Sequence, residues 1–230
     1  MIELQNITKA YYYKGHPKYI ARNISAVFPT GSRIGLMGRN GAGKSTLLSI
    51  IAGSLNPDSG RVRITGSMSW PIGLTGCIHP DLTGLQNVKF IARVYGVDTE
   101  ELVDFVSDFA ELGLNFNQPV RHYSSGMRAR LNFGMSMGIR FDTYLLDEFS
   151  AVGDAGFKKK SKMIYDDRIS NAGVLMVTHS EGTMKSMCTS GAVLEAGQLT
   201  MFDNVDDALA QHGRNNLGED YERSKEFMEE

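Results

Sequence analysis

The stretch Gly38-Arg39-Asn40-Gly41-Ala42-Gly43-Lys44-Ser45-Thr46 decides the fold. It matches the phosphate-binding pattern G-x-x-x-x-G-K-[ST], here preceded by a buried-strand pattern at 32–37 and followed by a helical pattern at 46–52. Glycines let the main chain approach phosphate oxygens, and the amides and positive end of the helix face the anion. Lys44 is placed to reach the β- and γ-phosphates, and the Ser45 hydroxyl to bind Mg²⁺. The stretch therefore predicts a site for a nucleoside triphosphate with Mg²⁺.

Composition narrows the class of protein. The 230 residues, 42% of them hydrophobic, suffice for one globular unit with a lobed insertion. A net charge of −2 gives no global basic surface, so we expect no nucleic-acid partner. The cysteines, Cys77 and Cys188, lack metal-type spacing and fit a reduced, cytosolic setting. Residues 1–5 have a strand pattern and no run of 18 apolar residues occurs, so any action at a membrane is expected to go through a partner.

Two later apolar runs end in polar side chains. The run 144–148 ends in Asp147 and Glu148, as a buried parallel strand does when it delivers carboxylates to the ligand edge of a sheet. Asp147 is expected to hold Mg²⁺ and Glu148 to orient or deprotonate the attacking water, although a strand ending at an acidic turn is the alternative. The run 173–179 ends in His179, which is either a polar edge residue or a contact of the γ-phosphate.

The remaining patterns describe a sheet-rich core with a helical insertion. Helical spacing runs through 82–138, with a helix starting near Ser124-Ser125-Gly126, where serine and glycine are ordinary N-cap residues. The tyrosines 11–13 are either strand aromatics or include a ring that stacks on adenine. Strands are also predicted at 2–7, 19–28, 61–64, 67–70 and in a hairpin over 192–202, helices at 155–170 and 205–212, and a polar tail at 214–230. The lysines 158–160 and 162 are interpreted as a solvated helix face.

The order of these motifs resembles the ATP-binding subunit of ABC transporters over nearly the whole chain. The signature motif of that family is matched by residues 123–127, its D-loop by 150–154, its switch histidine by His179 and its adenine-stacking aromatic by Tyr11. The resemblance implies an α/β fold: a P-loop NTPase core of the ABC ATPase type with an antiparallel β subdomain and an inserted helical subdomain. The expected ATPase domain is 1–213, with the core in 1–81 and 139–213 and the insertion in 82–138. The tail is then 214–230.

Within that family the chain is most similar to the capsular polysaccharide export ATPases of Gram-negative bacteria. The segments that carry this narrower resemblance are Ser69-Trp70-Pro71, Leu82-Thr83-Gly84, Phe90-Ile91-Ala92-Arg93, Tyr123-Ser124-Ser125-Gly126-Met127 and Ala151-Val152-Gly153-Asp154-Ala155. In one departure, His79 stands where capsule exporters normally have a glutamine that helps to position Mg²⁺ and water. A neutral histidine can act there as a donor or a metal ligand. Some O-antigen exporters resemble this variant.

The resemblance implies a hydrolase of ATP that uses Mg²⁺ and docks under a polytopic membrane permease at the cytoplasmic face of the inner membrane. Two copies would form a head-to-tail homodimer, with ATP between the phosphate loop of one copy and Ser124, Ser125 and Gly126 of the other. The expected cargo is capsular polysaccharide, handled with the rest of its export machinery. O-antigen or a teichoic-acid-type polymer is the alternative cargo. A soluble ABC ATPase acting on ribosomes or DNA is a further alternative, although the usual second ATPase unit or coiled-coil insertion is missing.

Overall fold

A computed structural model of the chain describes residues 1–72, 78–147 and 155–217. In chain order, the strands and α-helices are β1 (Ile2–Tyr13), β2 (His16–Phe28), β3 (Arg33–Met37), α1 (Lys44–Ile51), β4 (Ser59–Ile64), α2 (Gly84–Tyr95), α3 (Thr99–Ala110), α4 (Ser125–Gly138), β5 (Thr143–Asp147), α5 (Ala155–Ser170), β6 (Gly173–Val177), α6 (Glu181–Met187), β7 (Ser190–Glu195), β8 (Gln198–Phe202) and α7 (Val205–Leu217). Short 3₁₀ helices lie at Gly113–Asn117 and Val120–His122.

The elements form two compact units. A sheet unit contains Met1–Pro71, Asp142–Glu148 and Ala172–Glu230, and a helical unit contains Ile72–Phe141 and Phe149–Asn171. The predicted subdomain boundaries at 81, 138 and 213 stay a prediction. Helix α5 belongs to the helical unit, where the ring centroid of its Phe157 lies 5.0 Å from that of Phe109 on α3.

The sheet unit has two sheets with helix α1 in the core between them. The antiparallel sheet has the order β2-β1-β4. The other sheet has the order β5-β6-β3-β7-β8, in which neighbouring strands are parallel except for β7 and β8. The apolar side chains Leu47, Leu48, Ile50 and Ile51 of α1 are buried in the core cluster to which both sheets contribute. The α/β fold with an antiparallel β portion and a largely parallel sheet is thus confirmed.

The β1–β2 hairpin closes in a two-residue turn. Lys14 and Gly15 both have positive φ, +49° and +81°, and Tyr13 pairs with His16 across the turn. Two consecutive residues in the left-handed region are what a tight hairpin turn needs. From the Ala10–Tyr19 pair to the turn the pairing is regular, which brings Tyr11 opposite Lys18.

The helical unit is organised by local capping and by aromatic packing. Thr83 and Gln86 form a reciprocal capping box at the start of α2, and the Asp98 side chain accepts from two amides at the start of α3. Such caps satisfy amides that have no partner inside the helix. The ring of Phe109 on α3 then lies 5.3 Å from that of Phe133 on α4, so the helices share one apolar centre.

Several elements differ from the sequence-based predictions. Strands β1 and β2 reach the hairpin turn, ending at Tyr13 and beginning at His16, rather than covering only 2–7 and 19–28. Residues 67–70 make only an isolated bridge between Met68 and Thr143. The Leu145 amide donates to the Ser69 hydroxyl at 2.9 Å rather than to a main-chain carbonyl, so no strand ladder continues. Helix α7 continues to Leu217 rather than ending near 212, held by a bond from Asn215 to Glu195. Helix α6 was not predicted, although Ser180 caps it through a bond from the Thr183 amide.

Candidate functional site

The phosphate loop, residues 38–46, connects β3 to α1, and its glycines are held in conformations that other residues rarely adopt. Gly38, Gly41 and Gly43 have φ values of +152°, +75° and +106°. A Cβ on Gly38 would lie 2.5 Å from the Leu194 carbonyl oxygen, and a Cβ on Gly43 would overlap the side chain of Ile20. The loop therefore needs glycine for both its dihedral angles and its close packing.

The first turn of α1 offers amide donors to an anion. Gly43 is the N-cap and no side chain caps this end of the helix. The first bond of the helix runs from the Leu47 amide to the Gly43 carbonyl at 2.8 Å. The amides before Leu47 have no acceptor inside the helix, and the helix dipole adds positive potential at the same place. This end of α1 therefore suits phosphate.

The side chain of Lys44 folds back into the phosphate loop. Its ammonium donates to the Gly38 carbonyl at 2.7 Å and to the Arg39 carbonyl at 3.3 Å, and the residue is 8% exposed. A lysine held at this depth presents its charge to any anion that enters the loop.

A cavity of about 420 Å³ adjoins the loop within the sheet unit. It is lined by Ile20, Asn40, Gly41, Gly43, Lys44, Ser45, Thr46, Val177 and His179. His179 is exposed and follows β6 by two residues, so the structure brings it to the same cavity as Lys44 and Ser45.

Asp147 ends β5 at the same edge of the sheet. It is 7% exposed and pairs with Val177, the last residue of β6 and a lining residue of the cavity. The carboxyl ends of parallel strands meet at one edge, so the Asp147 carboxylate and the Ser45 hydroxyl belong to this edge. Glu148 and the predicted D-loop at 150–154 lie outside the described residues.

The donor set at this edge fits Mg²⁺. A carboxylate and a hydroxyl are hard oxygen donors, and Mg²⁺ is usually held by one or two carboxylates together with substrate phosphates. Among residues 1–72, 78–147 and 155–217, the structure has no group of three or more His, Cys, Asp or Glu side chains that could hold a metal ion.

Tyr11 is exposed near the end of β1. The residue is 48% exposed, and the Lys9 ammonium lies 5.8 Å from its ring centroid. Tyr12 and Tyr13 are more exposed still, at 74% and 72%. The rings are thus not part of the core, and the exposed face of the Tyr11 ring is accessible for stacking.

In the helical unit, Ser124 is the N-cap of α4. Its hydroxyl accepts from the Met127 amide at 3.2 Å, which confirms the predicted capping role. A Cβ on Gly126 would meet only the Ser124 hydroxyl, at 3.8 Å. The first turn of α4 is therefore open around Gly126.

His79 also belongs to the helical unit, and a buried asparagine anchors its main chain. The side-chain oxygen of Asn87 accepts from the His79 amide at 2.8 Å, and its NH₂ group donates to the His79 carbonyl at 3.1 Å. The imidazole is exposed, and its Nδ1 accepts from the Asp81 amide at 3.2 Å. The proton of the neutral ring is therefore assigned to Nε2, which makes Nε2 a donor in this arrangement. Metal binding through Nε2 would need the other tautomer.

Sequence reasoning missed three residues around these sites. Ile20 packs against Gly43, and Asn87 anchors His79. His212 of α7 is the third: burial lowers its pKa, with smaller contributions from the charges of Lys44 and, in the opposite direction, of Glu181. Local patterns do not distinguish these residues from ordinary strand or helix positions, since their roles depend on contacts between distant parts of the chain.

None of the helices in the described ranges combines the length and the apolar composition that crossing a bilayer requires.

Comparison with known proteins agrees with these features. The model of the ABC transporter family matches residues 21–151. The chain is 47% identical to the polysialic acid transport ATP-binding protein KpsT of Escherichia coli, over 92% of this chain and 98% of KpsT. It is 39% identical to the capsule polysaccharide export ATP-binding protein CtrD of Neisseria meningitidis serogroup B, over 90% of this chain and 96% of CtrD.

More distant relatives and a solved structure complete the comparison. A teichoic acids export ATP-binding protein of Bacillus cereus and an O-antigen export ATP-binding protein of Myxococcus xanthus are 32% and 36% identical, and the matches span 42% and 45% of those proteins. The dimeric ATP-binding cassette MJ0796, in a post-hydrolysis state with ADP and Pi, superposes with a TM-score of 0.71 at 21% identity, over 89% of this chain and 99% of that one. This superposition supports the fold.

These matches confirm the predicted resemblance and the assignment as an ATP hydrolase of the ABC type. The chain belongs to the ABC transporter family.

Proposed function

We propose that the chain is the ATP-hydrolysing subunit that energises export of capsular polysaccharide across the inner membrane. The observation that carries the proposal is the similarity to KpsT and CtrD, which covers almost the full length of this chain and of each relative. The O-antigen and teichoic acid relatives are less similar, and less than half of each is matched. The relative similarity therefore favours capsular polymer as the cargo.

In this proposal the phosphate loop binds the triphosphate and Tyr11 stacks on the adenine. Phosphate oxygens accept from the first amides of α1 and from the Lys44 ammonium, as the uncapped helix end and the depth of Lys44 support. Ser45 and Asp147 hold Mg²⁺ at the edge of the sheet. When bound there, the ion supplies positive charge beside the β- and γ-phosphate oxygens.

Hydrolysis requires a water oriented in line with the γ-phosphate. We assign Glu148 to orient that water or to accept its proton, because it directly follows Asp147 at the carboxyl end of β5. His179, on the wall of the same cavity as Lys44, contacts the γ-phosphate. We assign His79 the role of the usual glutamine; its Nδ1 accepts from the Asp81 amide, so its Nε2–H is the donor that it can offer. A direct ligand role of His79 toward Mg²⁺ would require the tautomer with the proton on Nδ1.

The working site is composite in this proposal. Ser124, Ser125 and Gly126 of one copy face the γ-phosphate held by the phosphate loop of a second copy, where the amides and dipole of α4 stabilise charge during hydrolysis. The capped start of α4 and the open space around Gly126 support this role.

Mixing two inactive variants tests the composite site. Lys44→Ala spoils the phosphate loop, and Ser124→Arg crowds the phosphate of the neighbouring copy, so each variant alone is expected to be inactive. A mixed dimer keeps one site with both halves intact, so part of the ATPase activity should return on mixing. Equal amounts of wild-type and Lys44→Ala chains give the reference for subunit exchange. Mixtures that stay inactive while wild-type chains exchange would contradict the composite site or show that hydrolysis needs two intact sites, and a wild-type chain tethered to the doubly substituted chain separates these two outcomes.

The partners of the chain follow from the same proposal. The ATPase subunits form a homodimer that docks on a polytopic permease, at the cytoplasmic face of the inner membrane, and works with the rest of the polysaccharide export machinery. In this arrangement the permease provides the path for the polymer.

Deletion of the gene tests the export role. The deletion strain should keep its capsular polymer inside the cell and lose it from the surface, as measured by fractionation and immunoblotting of the polymer. Wild-type protein should restore surface polymer, and Lys44→Ala expressed at the same level should not. Normal surface capsule in the deletion strain would contradict the proposal. Loss of O-antigen or of a teichoic-acid-type polymer instead would favour the alternative cargo.

A further inference from the structure

Two residues of strand β2, Ile20 and Lys18, lie against the phosphate loop. The Ile20 side chain occupies the space that a Cβ on Gly43 would need. Lys18 lies two residues before Ile20, in the part of the strand that pairs regularly with β1 up to the hairpin turn. Its ammonium nitrogen lies 3.8 Å from the position of a Cβ on Gly41. The strand therefore places an apolar contact at one end of the loop and a positive charge beside its middle.

The face of the hairpin that carries Lys18 also carries Tyr11. Lys18 and Tyr11 are direct partners across the β1–β2 pair, and side chains of such partners lie on the same face of a sheet. Both residues are exposed. A nucleotide whose base stacks on Tyr11 and whose phosphates enter the loop would thus pass along the Lys18 side chain.

The charge at Lys18 complements the ligand of this site. Lys44 is buried and binds two carbonyl oxygens of the loop, whereas Lys18 is on the exposed side of Gly41. An ammonium at the outer side of the loop is available to phosphate oxygens that face away from Lys44, and hydrogen bonds between ammonium and phosphate are strong because both groups are charged.

We propose that Lys18 is a second lysine of the nucleotide site, whose ammonium binds a phosphate oxygen of the nucleotide held by the phosphate loop. The inference rests on the proposed nucleotide-binding roles of this loop and of Tyr11. Lys18 positions and holds the nucleotide, while the proposed hydrolytic groups remain Glu148 and His179.

The test compares two lysines of one hairpin. Lys18→Gln and Lys14→Asn each remove one positive charge, and asparagine tolerates the positive φ of residue 14. We expect Lys18→Gln to weaken binding of MgADP and of a non-hydrolysable ATP analogue about three- to tenfold, as for an exposed charge-assisted bond. Lys14→Asn should bind as the wild type does, and Lys18→Arg should bind within about twofold of it because the charge is kept. Isothermal titration calorimetry of the full chain gives these constants.

Salt dependence separates an electrostatic contact from a structural role. Raising NaCl from about 50 mM to about 500 mM should reduce the difference between wild type and Lys18→Gln, because screening weakens exposed charge pairs. Equal affinity of Lys18→Gln and wild type at low salt would overturn the proposal, as would an equal loss in Lys14→Asn or a loss that salt leaves unchanged. Lys44→Ala distinguishes an error about Lys18 from an error about the nucleotide site. If Lys44→Ala abolishes nucleotide binding while Lys18→Gln leaves the affinity unchanged, only the role of Lys18 is wrong. If the wild type itself binds neither nucleotide, the nucleotide site is wrong.

Discussion

Replacement of Gly43 by alanine tests the fit between the phosphate loop and β2. The φ of Gly43 is +106°, and a side chain in the left-handed region costs about 1–2 kcal/mol. The new Cβ would overlap Cγ2 of Ile20 and lie 3.2 Å from its Cβ, and overpacking of this kind costs about 1–3 kcal/mol. Together these terms predict a loss of about 2–5 kcal/mol in the free energy of unfolding. Nucleotide affinity should fall as well, because relief of the overlap moves the loop.

A double-mutant cycle with Ile20→Ala isolates the overlap. Ile20 is buried, so Ile20→Ala alone should cost about 2–5 kcal/mol. It also removes Cγ2, so the double variant should be more stable than the sum of the two changes predicts by about 1–3 kcal/mol. Urea unfolding followed by circular dichroism measures all four chains. Ile2→Ala, at the opposite end of the β1–β2 pair, is the matched control and should combine with Gly43→Ala additively.

The reasoning would be refuted if Gly43→Ala and Ile20→Ala were additive within about 0.5 kcal/mol. Additivity would mean that Ile20 does not limit the space at Gly43. It would equally be refuted if Gly43→Ala kept both its stability and its nucleotide affinity, since the loop would then accept a side chain at this position.

Three further predictions concern single residues. Glu148→Gln should bind ATP, hydrolyse almost none of it and accumulate as a dimer in size-exclusion chromatography with MgATP; a variant that binds ATP but stays monomeric, even with its permease, would argue against the head-to-tail arrangement. His79→Gln should keep most of the ATPase activity because the amide also supplies a donor, and His79→Ala should impair transport more than nucleotide binding; normal transport by His79→Ala would show that the side chain is dispensable. Burial raises the pKa of the Cys188 thiol from 9.0 to about 11, so at pH 8 the folded chain should hold about 100-fold less thiolate than the unfolded chain. In a Cys77→Ser background, the folded chain should therefore react with iodoacetamide far more slowly than the urea-unfolded chain. Equal labelling rates in the two states would contradict the burial of this thiol.

The fold was predictable where local pattern and packing point to the same structure. The phosphate loop follows from its motif, and the buried strands β3, β5 and β6 and the helices α1 to α5 follow from periodicity. The strand predicted at 67–70 failed because the Ser69 hydroxyl replaces one ladder bond, which apolar alternation does not reveal. The length of α7 depends on a side-chain bond from Asn215 to Glu195, twenty positions earlier, and no local signal encodes that contact.

The candidate site was predictable in its motif residues and less so in their supports. Lys44, Ser45 and His179 line one cavity, in agreement with the phosphate-loop motif, the strand ending before His179 and the family resemblance, while their roles stay predictions. Lys160, by contrast, was interpreted as part of a solvated face. Its ammonium instead donates to the Asp108 carbonyl and the Glu111 carboxylate and lies 5.3 Å from the Phe109 ring centroid. Lys160 on α5 thus binds groups at the C-terminal end of α3. This is a tertiary contact, so composition and spacing along α5 could not indicate it.

The position of Lys44 has a consequence for how variants of this protein are compared. Because its ammonium bridges the Gly38 and Arg39 carbonyls, truncation to alanine removes two internal ties of the loop together with the charge offered to phosphate. A Lys44→Ala chain is therefore altered in loop stability as well as in ligand affinity, and its inactivity combines both effects. Amide hydrogen exchange at residues 38–43, measured without nucleotide, would separate the two contributions and show whether Lys44→Met or Lys44→Arg is the cleaner reference.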